Sequence, residues 1–173
     1  MKQAALVILI GLLALAGGIA LRYSLYPSPS TEASPLPAFA LPDLAGKTHP
    51  IAEWQGTIRV INFWASWCSS CREEMPDLVA VQEQYKAQGV QVIGIAVEDR
   101  DPAATYLESI KVNYPMLIAG DQGMALSAQL GNLAEAIPFT VVVDRRGVIR
   151  NRYLGKFSKP KLAKIIDSMI GQK

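Results

Sequence analysis

The sequence has little of the residue types that build metal centres and nucleic-acid-binding surfaces. Its 173 residues include two Cys and one His, and these cannot furnish a four-ligand zinc site of Cys and His within one chain. The 17 Lys and Arg exceed the 15 Asp and Glu by a formal charge of only +2, whereas nucleic-acid-binding domains usually carry a large basic excess. Phosphate-binding glycine loops and the HExxH metal motif are also missing. We therefore expect a protein without a metal, a bound cofactor or a nucleic-acid partner, in which the two Cys need their own explanation.

One long apolar run lies near the N-terminus. Residues 4–21 are 18 residues without a charged or strongly polar side chain, between Lys2 and Arg22. As a helix this run would span about 27 Å, close to the roughly 30 Å hydrocarbon core of a bilayer. A cleavable signal peptide usually has a shorter apolar core and then a small-x-small site, which is missing here. We predict a single-pass membrane anchor over residues 1–22 with the N-terminus inside; a cleaved signal peptide, which would release a soluble periplasmic protein, is the alternative.

A Pro- and Ser-rich segment follows the apolar run. Residues 23–37 contain four Pro and four Ser without a periodic apolar face, so we predict an extended tether there. From residue 38 to residue 173, β-branched apolar runs alternate with segments of helical period, which predicts one α/β domain. The predicted strands cover residues 57–65, 91–97, 114–118, 140–143 and 148–153, and the predicted helices begin at the Cys pair and near residues 102, 122 and 160.

The two Cys stand where the first predicted strand leads into the first predicted helix. They are Cys68 and Cys71, in the segment Trp67-Cys68-Ser69-Ser70-Cys71. Thiols at this spacing can close a small disulfide ring, and the unpaired amides and the dipole of a helix N-terminus favour the thiolate of Cys68. An inert structural disulfide is a weaker explanation, because so short a loop constrains the unfolded chain very little. A zinc half-site shared with a second chain is the other alternative, but the spacing in this context favours a redox-active pair.

Motifs around the Cys pair and later in the chain carry a family resemblance. They are Asn62-Phe63-Trp64-Ala65-Ser66-Trp67-Cys68-Ser69-Ser70-Cys71, then Pro76, and then Ile137-Pro138-Phe139-Thr140. Together they resemble the thioredoxin superfamily, and more narrowly its TlpA/ResA-like branch of membrane-tethered, extracytoplasmic thiol-disulfide oxidoreductases. The resemblance covers about residues 38–173.

The resemblance implies a fold and a set of site residues. The fold is thioredoxin-like, with a central mixed β-sheet flanked by helices, after an N-terminal transmembrane or signal helix. Cys68 is then the exposed attacking thiol and Cys71 the buried resolving thiol. Pro138 is expected to be a cis proline that faces the disulfide, while the backbone of Ile137 pairs with the substrate chain. Trp67 is the candidate aromatic residue of the substrate face.

The resemblance also raises the question of a proton acceptor. Thioredoxin has a buried aspartate six residues before its first Cys, and this sequence has Asn62 at that position, which cannot act as a base. The TlpA/ResA-like branch tends instead to have an acidic residue after the second strand of this core, where Glu98 and Asp99 stand. We predict that Glu98 accepts the proton of Cys71, with Asp99 as the alternate residue. Two solvated carboxylates in an ordinary turn are the third interpretation.

The predicted function is the reduction of protein disulfides outside the cytoplasmic membrane. The Ser69-Ser70 dipeptide contains no His that could provide a cation beside Cys68, and this favours a reductant. The same scaffold can also serve as a disulfide oxidant or isomerase. A non-enzymatic binding module with an idle disulfide is a further alternative. A peroxidase is excluded, because Ile61 and Ala65 occupy the Pro and Thr positions of the P-x-x-x-T-x-x-C motif. The expected partners are protein thiols and disulfides, with apocytochrome c as one specific substrate, and a membrane electron donor that re-reduces the pair.

Overall fold

The structure, a computed structural model, describes residues 17–18 and 34–171. By its internal contacts the chain divides into two units, Met1–Glu32 and Ala33–Lys173. Most of the predicted anchor and residues 23–33 of the predicted tether lie outside the described residues, so both segments stay predictions. Within the described part of the chain, no helix has the length and hydropathy needed to cross a bilayer.

The second unit is built on a six-stranded mixed sheet. Its strands and those of a small hairpin are β1 (Ser34–Pro35), β2 (Ala40–Pro42), β3 (Thr48–Pro50), β4 (Ile58–Trp64), β5 (Val90–Ala96), β6 (Met116–Ile118), β7 (Phe139–Val143) and β8 (Val148–Leu154). The order in the large sheet is β1-β8-β7-β4-β5-β6. Strands β4, β5 and β6 are parallel, whereas β7 is antiparallel to both β4 and β8, and β1 is antiparallel to β8. Strands β2 and β3 form the separate hairpin.

Helices cover both faces of the large sheet. They are α1 (Ser69–Tyr85), α2 (Arg100–Glu108), α3 (Gly123–Gln129) and α4 (Lys159–Ile170), with short 3-10 helices at Ile51–Trp54, Lys86–Gln88 and Gly120–Gln122. One core cluster joins the sheet to α1, α2 and α4, through residues such as Leu78, Leu107 and Leu162. A second cluster on the opposite face includes Ile51 and Leu130. This architecture confirms the expected central mixed sheet flanked by helices.

The strongest sequence patterns match the observed elements closely. Every residue of β4 is buried, as expected for an uninterrupted apolar run that is covered on both faces. The hairpin of β7 and β8 turns at Asp144–Gly147, the position of the predicted turn, and the amide of Gly147 donates to the carbonyl of Asp144. Gly89, predicted to end the first helix, has a positive φ of 75° after the 3-10 turn that extends α1. The periodicity of the local sequence was therefore sufficient to predict the strand and the helix that hold the Cys pair.

The N-terminal boundary of the folded unit differs from the prediction. The tether was predicted to extend to residue 37, but Ser34 pairs with Ile149 and Pro35 pairs with Val148 at the edge of the sheet. The amide of Leu36 also donates to the carbonyl of Gly147. Edge pairing of this kind uses backbone groups and tolerates Pro, so it leaves no apolar periodicity in the sequence. The folded part thus begins before residue 38.

Candidate active site

Cys68 is the N-cap residue of α1. Strand β4 ends at Trp64, and a short loop leads to Cys68, whose extended backbone (φ −87°, ψ 106°) immediately precedes the helix. The backbone amide of Cys71 donates a hydrogen bond to Cys68 Sγ over 3.2 Å. The first amides of a helix have no partner within it. A sulfur anion at this position therefore has a donor and lies at the favourable end of the helix dipole.

Cys68 and Cys71 form a disulfide across the first turn of α1, with their Cα atoms 5.3 Å apart. Cys71 is fully buried, and Cys68 is 7% exposed. Cys68 is thus the more accessible of the two, but it is less open than its predicted role suggests. The hydroxyl of Ser70 lies 3.5 Å from its sulfur and the carbonyl oxygen of Ile137 lies 3.9 Å away. In the disulfide form, the sulfur that a substrate would meet is partly covered.

The loop before β7 faces the disulfide. The Ile137–Pro138 peptide bond is cis, as the resemblance implied, and the carbonyl contact with Cys68 brings this loop to the redox pair although it lies 69 residues further along the chain. Trp67, on the other side of Cys68, is 68% exposed. Four of the predicted site residues, Trp67, Cys68, Ile137 and Pro138, are therefore close to one another in space or adjacent in the chain, with a large aromatic side chain at the surface beside them.

Glu98 lies at the base of the loop that leads to the Cys pair. The amide of Ser66 donates to Glu98 Oε1 over 2.5 Å, and the Ser66 hydroxyl donates to Oε2 over 2.8 Å. Glu98 is buried, whereas Asp99 is exposed and precedes α2. Of the two predicted acids, Glu98 is therefore the one shielded from solvent. Both of its oxygens accept hydrogen bonds from Ser66, and its role as the proton acceptor of Cys71 stays a prediction.

A second buried carboxylate, Glu74, lies one turn after Cys71 in α1. It is fully buried, and its Oε1 accepts a hydrogen bond from Asn62 Nδ2 over 2.6 Å. Residues three apart lie on the same face of a helix, so Glu74 and Cys71 share the inward face of α1. Burial raises the pKa of Glu74 to about 7, and the hydrogen bond from Asn62 offsets the effect only in part. A carboxyl group with a pKa near neutrality can exchange a proton under physiological conditions.

Glu74 was not among the residues predicted for the site. A signal was nevertheless available in the spacing. Cys71, Glu74, Leu78 and Tyr85 follow the inward stripe of α1, and all four are buried. A Glu in register with an apolar stripe, directly after a Cys pair, indicates a buried acid.

The described residues contain no cluster of three or more His, Cys, Asp or Glu side chains arranged to hold a metal ion. The chemistry that this site can perform with its own groups is that of two sulfurs that interconvert between thiols and a disulfide, and the elements around them carry two buried acids, Glu74 and Glu98.

Comparisons with known proteins agree with this geometry. The sequence model of the Redoxin family matches residues 31–167. Over 157 residues the chain is 28% identical to the thiol-disulfide oxidoreductase ResA of Geobacillus kaustophilus (strain HTA426), a match that covers 87% of this chain and 88% of that protein. Over 123 residues it is 37% identical to the thiol:disulfide interchange protein DsbE of Pseudomonas fluorescens biotype C, covering 70% of this chain and 65% of that protein.

Solved structures are similar as well. The crystal structure of a thiol:disulfide interchange protein from Chlorobium tepidum TLS, a thioredoxin family protein, matches with a TM-score of 0.71 and 29% identity. The match covers 81% of this chain and 98% of that chain. The similarity therefore extends over nearly the whole of that structure.

Proposed function

This chain belongs to the Redoxin family as a thiol-disulfide oxidoreductase with a Cys68–Cys71 pair, and we propose that it reduces disulfides of protein substrates outside the cytoplasmic membrane. The observation that carries the proposal is the disulfide at the N-terminus of α1, in which Cys71 is fully buried and Cys68 is 7% exposed. A buried four-residue loop stabilises a fold very little. Its position at the end of the central strand instead suits a reactive centre.

The proposed reaction is a pair of thiol-disulfide exchanges. The Cys68 thiolate attacks one sulfur of a substrate disulfide, which forms a mixed disulfide and releases the other substrate sulfur as a thiolate. Cys71, as a thiolate, then attacks Cys68 Sγ, closes the Cys68–Cys71 disulfide and releases the second substrate sulfur as a thiolate. The substrate gains two electrons and the protein loses two. The amide of Cys71, which donates to Cys68 Sγ, supports the assignment of Cys68 as the attacking group.

We assign the substrate-binding surface to Trp67 and the Ile137–Pro138 segment. The exposed Trp67 side chain offers apolar area beside Cys68. The carbonyl of Ile137, close to Cys68 Sγ, is a backbone group that an extended substrate chain can use for pairing at this edge. These contacts would hold the substrate sulfur in line with the Cys68–Cys71 pair.

We assign Glu74 as the proton acceptor for Cys71, in place of the predicted Glu98. A buried thiol loses its proton less readily than an exposed one, so the second exchange needs a base on the buried side of α1. Glu74 lies on that side and has a pKa of about 7. Both oxygens of Glu98 accept hydrogen bonds from Ser66, which supports a different role for Glu98, in fixing the loop before Cys68.

The two acids can be separated by the pH dependence of the second exchange. We expect Glu74→Gln to slow release of the substrate thiol by about 10-fold to 1,000-fold, the usual range for loss of a general base, and to remove the inflection near neutral pH. We expect Glu98→Gln to keep the inflection. Stopped-flow measurement of mixed-disulfide decay from pH 5 to pH 9 tests this assignment. An inflection lost in Glu98→Gln and kept in Glu74→Gln would return the role to Glu98.

We propose that residues 1–22 anchor the domain to the cytoplasmic membrane, on its extracytoplasmic side, through the Pro- and Ser-rich segment. The uninterrupted apolar run of residues 4–21 supports this location. After each cycle the Cys68–Cys71 disulfide must be reduced again, which requires a dithiol donor. Because an anchored domain stays close to the membrane, we propose that this donor is a membrane protein. Apocytochrome c is a suitable substrate, because haem attachment at a C-x-x-C-H sequence requires free thiols.

The direction of electron flow is tested by the redox state of the pair in cells. Rapid acid quenching followed by alkylation with a mass-tagged maleimide separates the dithiol from the disulfide. A reductase is expected to be largely in the dithiol form, and its isolated domain should transfer electrons to a disulfide-bonded protein. A largely oxidised pair, combined with a reduction potential that favours transfer of its disulfide, would make the protein an oxidant.

A further inference from the structure

A buried amide connects the redox helix to the strand behind the substrate-binding segment. Asn62 lies in the middle of β4 with 1% of its surface exposed. Its Nδ2 donates to Glu74 Oε1 in α1 over 2.6 Å and to Thr140 Oγ1 in β7 over 2.9 Å. Both protons of the amide are therefore used. One side chain thus bonds to two elements that meet at the site, and Thr140 is two residues beyond Pro138.

The hydrogen bond from Asn62 to Glu74 favours one protonation state of the carboxyl group over the other. An ionised carboxylate only accepts hydrogen bonds, so a fixed N–H donor stabilises the carboxylate more than the carboxylic acid. An aspartate in place of Asn62 would instead oppose a second negative charge nearby. The neutral amide can therefore support an ionised acid in a site where burial disfavours charge.

Other charged or titratable groups also face Glu74. Lys156, after β8, favours its ionised form, while Asp77 on its own helix opposes it. Tyr114, before β6, is buried, and its pKa is raised by burial and further by the charge of Glu74. Lys156 also pairs with Glu73 at the surface, 2.9 Å away. Asn62 differs from Lys156, Asp77 and Tyr114 in that it makes a short hydrogen bond to the carboxylate and is itself held by a third element.

We propose that Asn62 is a positioning residue: its amide, oriented by Thr140, holds the Glu74 carboxylate in place and stabilises it in the ionised form that accepts a proton from Cys71. The inference rests on the proposed function for its consequence in the second exchange. The arrangement itself is present in the oxidised protein and can be tested there. In that state the cysteines do not titrate, so the carboxyl group is observed alone.

The experiment is a carbon-13 NMR titration of oxidised protein labelled at Glu Cδ. The Glu74 signal is the one lost in Glu74→Gln, and the Glu98 signal is the internal reference, because Glu98 is held by Ser66 rather than by Asn62. Asn62→Leu removes the donor at similar volume. We expect the titration midpoint of Glu74 to rise by about one to two pH units, the effect of losing a hydrogen bond to a charged group. An unchanged midpoint in folded Asn62→Leu would overturn the inference.

Two variants of Thr140 keep the inference testable if Asn62→Leu does not fold. Thr140→Val removes the hydroxyl that orients the amide, and Thr140→Ser keeps it. We expect Thr140→Val to raise the Glu74 midpoint and Thr140→Ser to restore the wild-type value. Equal midpoints in the two variants would contradict the role of the hydroxyl and with it the proposed chain of contacts.

Kinetics distinguish this inference from the proposed function. If Asn62 positions Glu74, the inflection in the rate of the second exchange moves upward with the NMR midpoint in Asn62→Leu. If the NMR midpoint moves and Glu74→Gln nevertheless leaves the rate profile intact, Asn62 holds an acid that the reaction does not use, and the assignment of Glu74 fails. If the Glu74 midpoint stays fixed while Glu74→Gln abolishes the inflection, the function stands and the inference about Asn62 fails.

Discussion

The carboxyl group of Glu74 is buried away from water, and its ionisation lowers the stability of the folded protein. Its pKa is about 7 in the folded protein because burial disfavours the charged form, whereas an exposed Glu in the unfolded chain titrates near 4.3. A carboxyl group with a raised pKa favours the folded state below the unfolded value, and that contribution is lost as the pH rises through the folded value. The acid is therefore retained at a cost in stability, which points to its use in the reaction.

We expect Glu74→Gln to stabilise the protein at pH 8 by on the order of 2–3 kcal/mol relative to its effect at pH 5. The neutral amide removes the penalty for ionising a buried group. Urea unfolding of wild type and variant at both pH values measures this difference. Glu73→Gln is the matched control, since Glu73 is the preceding residue of α1 and is exposed. An equal gain in stability in Glu73→Gln, or no gain in Glu74→Gln, would contradict the assignment of Glu74 as a buried group that ionises.

The side chains of the site differ in whether nearby sequence or contacts with distant residues fix their positions. The placement of Cys68, Cys71, Trp67 and Pro138 at or next to the disulfide could be predicted, because short motifs and a strand-to-helix junction specify it. Glu74 was missed although its spacing in the inward stripe of α1 was a local signal, whereas its hydrogen bond from Asn62, 12 residues earlier in the chain, has no such signal. The hydrogen bonds of Glu98 to Ser66 join residues 32 apart and likewise have no local signature.

At the scale of elements, the β2–β3 hairpin is held by a histidine between two carboxylates. His49 in β3 contacts Asp43 Oδ2 through Nε2 over 3.1 Å and Glu53 Oε2 through Nδ1 over 2.7 Å, and its ring stacks with Trp54. The hydrogen bond to Glu53, followed by that to Asp43, raises the pKa of His49. The hydrogen bond to His49 is the largest cause of the lowered pKa of Asp43. The hairpin is thus joined to the following 3-10 helix by a pH-sensitive contact.

We expect His49→Asn to destabilise the protein more at pH 5.5 than at pH 8.5. A His with a raised pKa contributes stability fully below its unfolded value of about 6.5 and loses that contribution as the pH rises through the folded value. Asp43 acts in the opposite sense and loses its contribution only at much lower pH, as the pH falls through its lowered value. Because Glu74 titrates in the same range in both proteins, the quantity to measure is the difference in urea midpoint between wild type and variant. A difference in urea midpoint that does not change with pH would show that the contacts of His49 with Asp43 and Glu53 are not ionic.

Helix α3 packs closely against the segment that carries Glu98. A Cβ atom on Gly123, the first residue of α3, would lie 2.8 Å from the backbone Cα of Val97. We expect Gly123→Ala to destabilise the fold by about 1–3 kcal/mol, as overpacking does, by calorimetry or urea unfolding. Gly171→Ala is the control, because the nearest atom there would be 3.7 Å away, and it should change stability by less than about 0.5 kcal/mol. Equal effects of the two substitutions would mean that the contact with Val97 is not what requires glycine.

Elements with continuous apolar runs, such as β4 and β5, could be predicted from the sequence, whereas β1, β2 and β3 could not. The latter are two or three residues long and mostly exposed, and they pair through backbone groups. The position of β1 depends on the distant strand β8, as the pairing of Ser34 with Ile149 shows, whereas β2 and β3 pair only with each other in a short hairpin. Edge strands of this kind carry little periodic signal, which explains why the predicted tether extended too far.

At the scale of the whole molecule, the sheet brings three distant segments to one edge. The carboxyl ends of the parallel strands β4 and β5 lie side by side, with the amide of Val97 donating to the carbonyl of Trp64. The antiparallel β7 then brings the Ile137–Pro138 segment to the same edge. The redox pair, the segment assigned to the substrate and both buried acids are thereby organised by one sheet. We therefore propose that thiol-disulfide exchange takes place at this edge.

The most direct test of that claim is to trap the intermediate with a disulfide-bonded protein substrate. Cys71→Ser removes the resolving sulfur, so the mixed disulfide should accumulate, and peptide mass spectrometry should find the substrate linked to Cys68. Cys68→Ser should trap little or no substrate under the same conditions, because Cys71 is fully buried. Substrate linked to Cys71 in Cys68→Ser, with none on Cys68 in Cys71→Ser, would contradict the account.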